Sequence, residues 1–302
     1  MNAYLRALRP ERWPRSLAIF AGTAAFYFLF RESRFALSAG QVLVRGAAAY
    51  LLTWAISTAN YIINEIVDAP FDVHHPSKKN RPLIKREVRL VPFMSIGLLL
   101  TLFSLLAASI FFSRAFLLSL LSLLLAGFVY NVRPLRAKDI PFLDSISESA
   151  NNPIRFFIGW FAFAPTSLFP PLSLLLSWWS FGNFLLVAKR LSEFRFLKEK
   201  AGDYRASLRR YSQKSLLLGM ALSAAVFFAS YIHFAIGHGL VSYLFLIPLI
   251  LFYFLLIYFK TLQEKAVMEE PERLLKNPFF AVYTLVLAVL FFIVSYLAAV
   301  GR

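Results

Sequence analysis

Long apolar runs alternate with short charged stretches along the whole chain. The apolar runs extend over approximately 17–30, 42–63, 91–112, 115–130, 145–166, 171–188, 215–234, 240–259 and 279–300. A helix needs about 20 apolar residues to cross a hydrocarbon core of about 30 Å, fewer where it lies partly in protein. The pattern therefore predicts an all-α polytopic membrane protein with about nine transmembrane helices, forming one transmembrane domain over residues 1–302. No soluble domain, low-complexity linker or glycine-rich phosphate loop interrupts the series. The first run follows Arg6, Arg9, Arg12 and Arg15, and it reads as a retained span because no small-residue cleavage site follows a short apolar core.

Composition strengthens this picture. Hydrophobic residues make up 59% of the chain, with thirty-three Phe, and the mean hydropathy is +0.64, which excludes a soluble globular domain. A formal net charge of +16 would suggest nucleic acid in a soluble protein. Here the basic residues cluster in loops, so they indicate topology and no nucleic-acid partner is expected. With the amino terminus in the cytosol, twenty-six Lys and Arg fall in inner loops and five in outer ones. This predicts a protein of the cytoplasmic membrane with its carboxyl terminus outside, and a basic cytosolic face that attracts anionic membrane lipids and anionic substrates. The absence of cysteine excludes disulfides, thiolate zinc sites and a cysteine nucleophile.

The candidate chemistry concentrates in three stretches. In Asn64–Pro82, Asn64, Asp68 and Asp72 recur every four residues, so on a helix they form one oxygen-rich stripe. Two carboxylates and an amide are hard oxygen ligands of the kind Mg²⁺ accepts while sharing its shell with substrate phosphates. Lys78, Lys79 and Arg81 follow, placed to neutralise remaining phosphate charge. The plainer alternative is a helix ending in a solvated, charged loop. Pro70 removes a backbone donor and predicts that Asp72 hangs from a kinked or unwound end. His74 and His75 lack a third nitrogen or sulfur ligand nearby, so magnesium is preferred over a transition metal.

In the second stretch, Asp144 and Glu148 stand one turn apart and Arg155 lies within an apolar run, where a charge is costly unless paired or facing a wet cavity. Arg155 is either a structural partner of Glu148 or Asp144, or a functional group. Asn151, Asn152 and Pro153 are expected to loosen the helix there. The third stretch, Val187–Tyr211, carries nine basic residues with Lys214 included, of which Lys189 and Arg190 lie nearest the membrane.

These residues together resemble the UbiA superfamily of intramembrane prenyltransferases, and within it the decaprenyl-phosphate phosphoribosyltransferase branch. The resemblance is carried by Arg9-Pro10, Trp13 and Arg15; by Asn64, Asp68, Asp72, His75-Pro76, Lys78 and Arg81-Pro82; by Asp144, Arg155 and Gly159; by Ala188-Lys189-Arg190 and Glu193; and by Arg205, Leu208, Tyr211 and Pro271-Glu272. Glu65, Pro70, Glu148, Asn151 and Asn152 depart from it. The resemblance implies a UbiA-like helical bundle with a cytosol-facing polar cavity. It also implies Mg²⁺-dependent transfer of 5-phosphoribosyl from phosphoribosyl diphosphate to a polyprenyl phosphate. Asn64, Asp68 and Asp72 would hold the metal, and Asp68, Asp72, Asp144 and Glu148 would be catalytic. Lys78, Arg81, Arg155, Lys189, Arg190, Arg15 and Asn152 would bind substrate. An aromatic prenyltransferase using a prenyl diphosphate, and an anionic-lipid carrier without chemistry, are the competing readings; homo-oligomerisation stays open.

Overall fold

The structure, a computed structural model, describes residues 2–30, 37–73, 80–263, 274 and 277–300. Among these residues it is helical, without strands. Seven helices are long and apolar enough to cross a membrane, and two of the nine expected runs are built differently. The run from Leu17 is divided between a 3₁₀ segment, Pro10–Ala18, and a short helix, and the run at 145–166 is broken at Ala150. The described residues fall into two compact units.

The first unit comprises Met1–Ala137 and Ala150–Pro170. It holds α1 (Ala3–Ala7), the 3₁₀ segment, α2 (Ile19–Leu29), α3 (Ala39–Asp72), α4 (Leu90–Phe111), α5 (Arg114–Asn131) and, after the second unit's α6, α7 (Asn151–Phe161). Pro10 and Pro14 remove backbone donors from the stretch after Arg9, which explains why it winds as 3₁₀ and not as regular α-helix. α2 packs on α7, and α3 packs on α4 and α5. The α2–α7 contact brings backbone against backbone. A Cβ on Gly22 would lie 2.0 Å from the Phe156 carbonyl oxygen, and one on Gly159 1.7 Å from that of Ile19. Thr23 Oγ1 seals the crossing by donating to the Gly159 carbonyl at 2.9 Å. On the other side of α3, Asn60 Nδ2 donates to the Leu123 carbonyl at 2.8 Å, and only a glycine at 127 leaves room for that amide.

Near the start of α3, Arg45 is held by peptide oxygens. Its Nε donates to the Ala162 carbonyl and Nη1 to that of Phe111 at 3.5 Å, while the guanidinium lies 4.7 Å over the Phe112 ring. These carbonyls belong to the ends of α7 and α4, where the helix dipoles favour a cation. At the other end, the expected unwinding at Pro70 does not occur: α3 continues through it to Asp72. A proline in the last turn forfeits one backbone bond, and Asp72 is tied down by Arg81.

The second unit comprises Lys138–Ser149 and Pro171–Arg302. It holds α6 (Leu143–Ser149), α8 (Leu172–Leu197), α9 (Ala201–Tyr204), α10 (Gln213–Gly237), α11 (Ile247–Gln263) and α12 (Pro278–Val300). α8 and α10 pack along their length, joined by Ser177–Ser230 at 3.0 Å and by Asn183 Nδ2 donating to Ser223 Oγ at 2.9 Å. α10 starts with a reciprocal capping box between Ser212 and Ser215.

The α2–α7 crossing yields a test. Alanine at an ordinary helical glycine gains up to about 1 kcal/mol in propensity. Gly159→Ala is expected to lose stability, by about 1–3 kcal/mol or more, because two backbones must separate. Gly40→Ala, with open space around it, is expected to be neutral or stabilising. Thermal unfolding of the two purified variants in the same detergent checks this.

Candidate functional site

Five polar residues, Ser57, Tyr61, Asn64, Asp68 and Asp72, follow one another at spacings of four, three, four and four on α3, so they share one face. Three other segments of the first unit supply arginines to this part of the helix. Arg81, from the loop after α3, pairs with Asp72; Arg136, from the loop after α5, donates to Asp68 Oδ1 at 3.2 Å; and Arg9, from the N-terminal segment, approaches Glu65 Oε2 at 3.4 Å. Asp72 and Glu65 are buried and Asp68 nearly so. The segments are themselves held in place. α1 packs Ala7 with Ile62, Val88 and Phe93, Arg6 bonds Glu87 at 2.6 Å, and the Arg89 backbone N–H donates to the Tyr4 hydroxyl at 3.3 Å.

Arg9 adopts a left-handed conformation, φ 50°, which turns the chain from α1 into the 3₁₀ segment. Burial first, then the charges of Arg81 and Arg12, pull its guanidinium down to about 10, so it stays protonated at neutral pH. Beyond it, Arg12 lies 5.0 Å over the Tyr61 ring, Arg15 hydrogen-bonds the Tyr61 side chain, and Arg155 reaches Ser57 Oγ at 3.5 Å.

The second unit gathers a different cluster. Arg190, with no exposed surface, donates to Asp144 Oδ2 at 2.7 Å, to Glu148 Oε2 at 2.8 Å and to Glu193 Oε2 at 3.1 Å. Asp144 is equally buried and also accepts from Ser207 Oγ at 3.0 Å, the Tyr211 hydroxyl at 2.6 Å and the Ser145 backbone N–H at 2.8 Å. Burial and the charge of Asp144 push the Tyr211 phenol well up, which keeps it a donor. Arg205 completes the group within 3.9 Å of Asp144 and Glu193.

The family model for the UbiA prenyltransferase family matches residues 19–282. The chain belongs to the UbiA prenyltransferase family. Solved structures with a similar fold include a UbiA homologue from Archaeoglobus fulgidus bound to GPP and Mg²⁺, with a TM-score of 0.71, 19% identity, and coverage of 97% of this chain and 99% of that one. The same homologue bound to DMAPP and Mg²⁺ gives a TM-score of 0.69 at the same identity and coverage. A digeranylgeranylglyceryl phosphate synthase gives 0.63 at 16% identity, covering 99% of this chain and 97% of that one. Among curated proteins, none matches the chain. The UbiA assignment makes the chain an integral membrane protein of a prenyltransferase family.

In this UbiA chain, Asn64, Asp68 and Asp72 share one face of α3 because the helix continues through Pro70, and two carboxylates with an amide are a donor set that fits Mg²⁺. Among the described residues no group of three His, Cys, Asp or Glu is assembled for a metal. Arg81, Arg15 and Arg155 lie with the α3 face. Asp144 and Arg190 are sequestered in a network of their own, leaving Glu148 and Lys189 as its more open members. Lys189 is half-buried with no hydrogen bond or ion pair among the described residues, and Asn152 is likewise half-buried. Lys78, His74, His75, Pro271 and Glu272 lie outside the described residues. Sequence reasoning missed Arg136, Arg12 and Tyr61. One signal was present: Arg-Pro-Leu occurs at 81–83 and again at 133–135, just before Arg136, each time in the loop after a span.

The second cluster predicts unequal effects of neighbouring substitutions. Arg190→Met strands three carboxylates and is expected to destabilise the protein by about 3–5 kcal/mol. Lys189→Met removes a half-buried charge beside Glu148 and Glu193, both of which keep Arg190, and is expected to cost clearly less than Arg190→Met. Thermal unfolding of the two variants distinguishes these outcomes.

Proposed function

We propose that the chain transfers a 5-phosphoribosyl group from phosphoribosyl diphosphate to a polyprenyl phosphate in a Mg²⁺-dependent reaction on the cytosolic side of the membrane. The observation that carries this is an imbalance of charge. The acidic end of α3 gathers Arg9, Arg12, Arg15, Arg81, Arg136 and Arg155 against Glu65, Asp68, Asp72 and, at the rim, exposed Glu11. In the second unit, Lys189, Arg190 and Arg205 are matched by Asp144, Glu148 and Glu193. An excess of arginine beside a metal-type donor set suits two phosphorylated substrates better than one diphosphate and a neutral ring.

Asn64, Asp68 and Asp72 would hold Mg²⁺, which when bound neutralises charge developing on a departing diphosphate. In the reaction the bond from the anomeric carbon to the diphosphate oxygen breaks, and a bond to an oxygen of the acceptor phosphate forms. That acceptor is already anionic, so no base is required; the work of the protein is to hold two anions together. Arg81 and Arg136 place guanidinium donors beside the metal-type carboxylates. Lys78 is expected to act with them. Lys189 offers an ammonium for phosphate, and Glu148 a carboxylate able to steady the sugar as positive charge develops on it. Asp144 and Arg190 serve as positioning residues, because each is saturated by its neighbours.

A second reading has its own support. The fold is similar to that of homologues holding GPP or DMAPP with Mg²⁺, so a prenyl diphosphate donor with an aromatic acceptor is the alternative.

Purified protein incubated with Mg²⁺, a polyprenyl phosphate and phosphoribosyl diphosphate labelled in the ribose is expected to move label into the lipid phase. Asp68→Ala, compared with the unaltered chain by thermal unfolding in the same detergent, is expected to abolish that transfer, and removal of Mg²⁺ to do the same. Absence of lipid label, with consumption of prenyl diphosphate in the presence of an aromatic acceptor, would replace this reading with the second.

A further inference from the structure

Arg81 and Arg136 stand in the loops after two different helices, α3 and α5, yet both end on the last two turns of α3. Their partners, Asp72 and Asp68, are one turn apart, which puts the two Cβ atoms about 5–6 Å from each other. None of the four side chains is more than 15% exposed. Together they sum to zero charge, each carboxylate holding one guanidinium.

The backbones that carry the arginines are fixed. After Arg81 the chain winds into turns, with the Lys85 N–H donating to the Arg81 carbonyl at 3.0 Å and the Glu87 N–H to that of Pro82 at 2.9 Å. Val88 then packs with Ala7, Ile62 and Phe93. Arg136 donates its backbone N–H to the Val132 carbonyl at 2.8 Å, and the next residue, Ala137, is buried. A change of partner is therefore a swing of the side chain, and both guanidinium groups stay within reach of the end of α3.

Two kinds of cation claim the same oxygens. Asp68 and Asp72 are the carboxylates of the donor set that fits Mg²⁺, an ion that binds oxygen at about 2.1 Å. Arg136 stands 3.2 Å from Asp68 Oδ1, so an ion on that oxygen would face the guanidinium at about 5 Å or less. Repulsion at that range opposes joint occupancy. A diphosphate approaching without the ion meets the converse obstacle, because the guanidinium groups it would bind are held by carboxylates that repel it. Ion and diphosphate together remove both obstacles: the carboxylates take the ion and the arginines turn to phosphate oxygens.

We propose that Arg81 and Arg136 are exchangeable counter-ions of Asp72 and Asp68, handed to the diphosphate of the donor when a divalent cation takes the carboxylates, so that each ligand raises the affinity for the other. This rests on the Mg²⁺ reading of the α3 face. It does not depend on the choice between a ribosyl and a prenyl donor, since both carry a diphosphate.

The test titrates the full chain in detergent with Mn²⁺ in place of Mg²⁺, read by the paramagnetic resonance of the free ion, and with labelled inorganic diphosphate, in EDTA and again in saturating Mn²⁺. Arg136→Gln is expected to bind Mn²⁺ alone about tenfold more tightly and diphosphate in Mn²⁺ about tenfold more weakly, each the size of one charge-assisted hydrogen bond. Asp68→Asn is expected to lose Mn²⁺ and yet to bind diphosphate in EDTA more tightly than the unaltered chain. Opposite shifts are the mark of exchange. A guanidinium that only braced the fold would lower both affinities on removal, and one that only bound phosphate would leave Mn²⁺ unaffected. Thermal unfolding in the same detergent shows which variants are folded, and Arg81→Gln puts the same question from the other loop if Arg136→Gln is not. Mn²⁺ affinity unchanged or lowered in the folded arginine variant overturns the exchange and keeps the metal reading. Equal Mn²⁺ affinity in the unaltered chain and in Asp68→Asn overturns the metal reading, and the exchange with it.

Discussion

A charged group at the edge of a hydrocarbon core is costly unless polar groups receive it, and in the first unit that cost joins parts of the chain far apart in sequence. Arg9, Arg81 and Arg136 come from three loops and end on Glu65, Asp72 and Asp68 of one helix. The loops are not otherwise regular. Pairing with α3, together with the small apolar core of Ala7, Ile62, Val88 and Phe93, gives them a defined place. Removing a carboxylate therefore does more than delete a ligand: it frees an arginine and the loop that carries it.

The two charged clusters use the same residue types to opposite ends. In the second unit every polar atom of Arg190 and Asp144 that is described faces a complementary one, and Ser207 and Tyr211 fill the remaining positions on Asp144. Such a closed network fixes the loop that follows α8 against α6 and α8. The first unit's cluster is rich in cations and has a phenol at its inner margin. One cluster is finished by its own residues; the other, among the described residues, brings more arginines than carboxylates to one helix face.

Much of this was legible in the sequence, and the remainder was hidden for definite reasons. The four-residue spacing of Asn64, Asp68 and Asp72 survives because α3 remains helical, and the break at Ala150 occurs beside Asn151, Asn152 and Pro153, where it was expected. Pro70 misled because a proline near a helix end costs less than one in its middle. The burial of Arg190 could not be read from position, since a basic residue next to Lys189 looks as available as its neighbour. The partnership of Arg136 with Asp68 spans 68 residues, and only the repeated Arg-Pro-Leu hinted at it. The grouping of Arg12 with Arg15 depended on 3₁₀ winding, which positive-inside counting does not consider.

Arg45 shows the reverse of the pairing on which the acidic end of α3 depends. It is held by two peptide carbonyls and the face of a phenylalanine ring, and none of these groups takes up or releases a proton. The anchorage of this end of the helix is thus indifferent to acidity over the whole range in which carboxylates titrate.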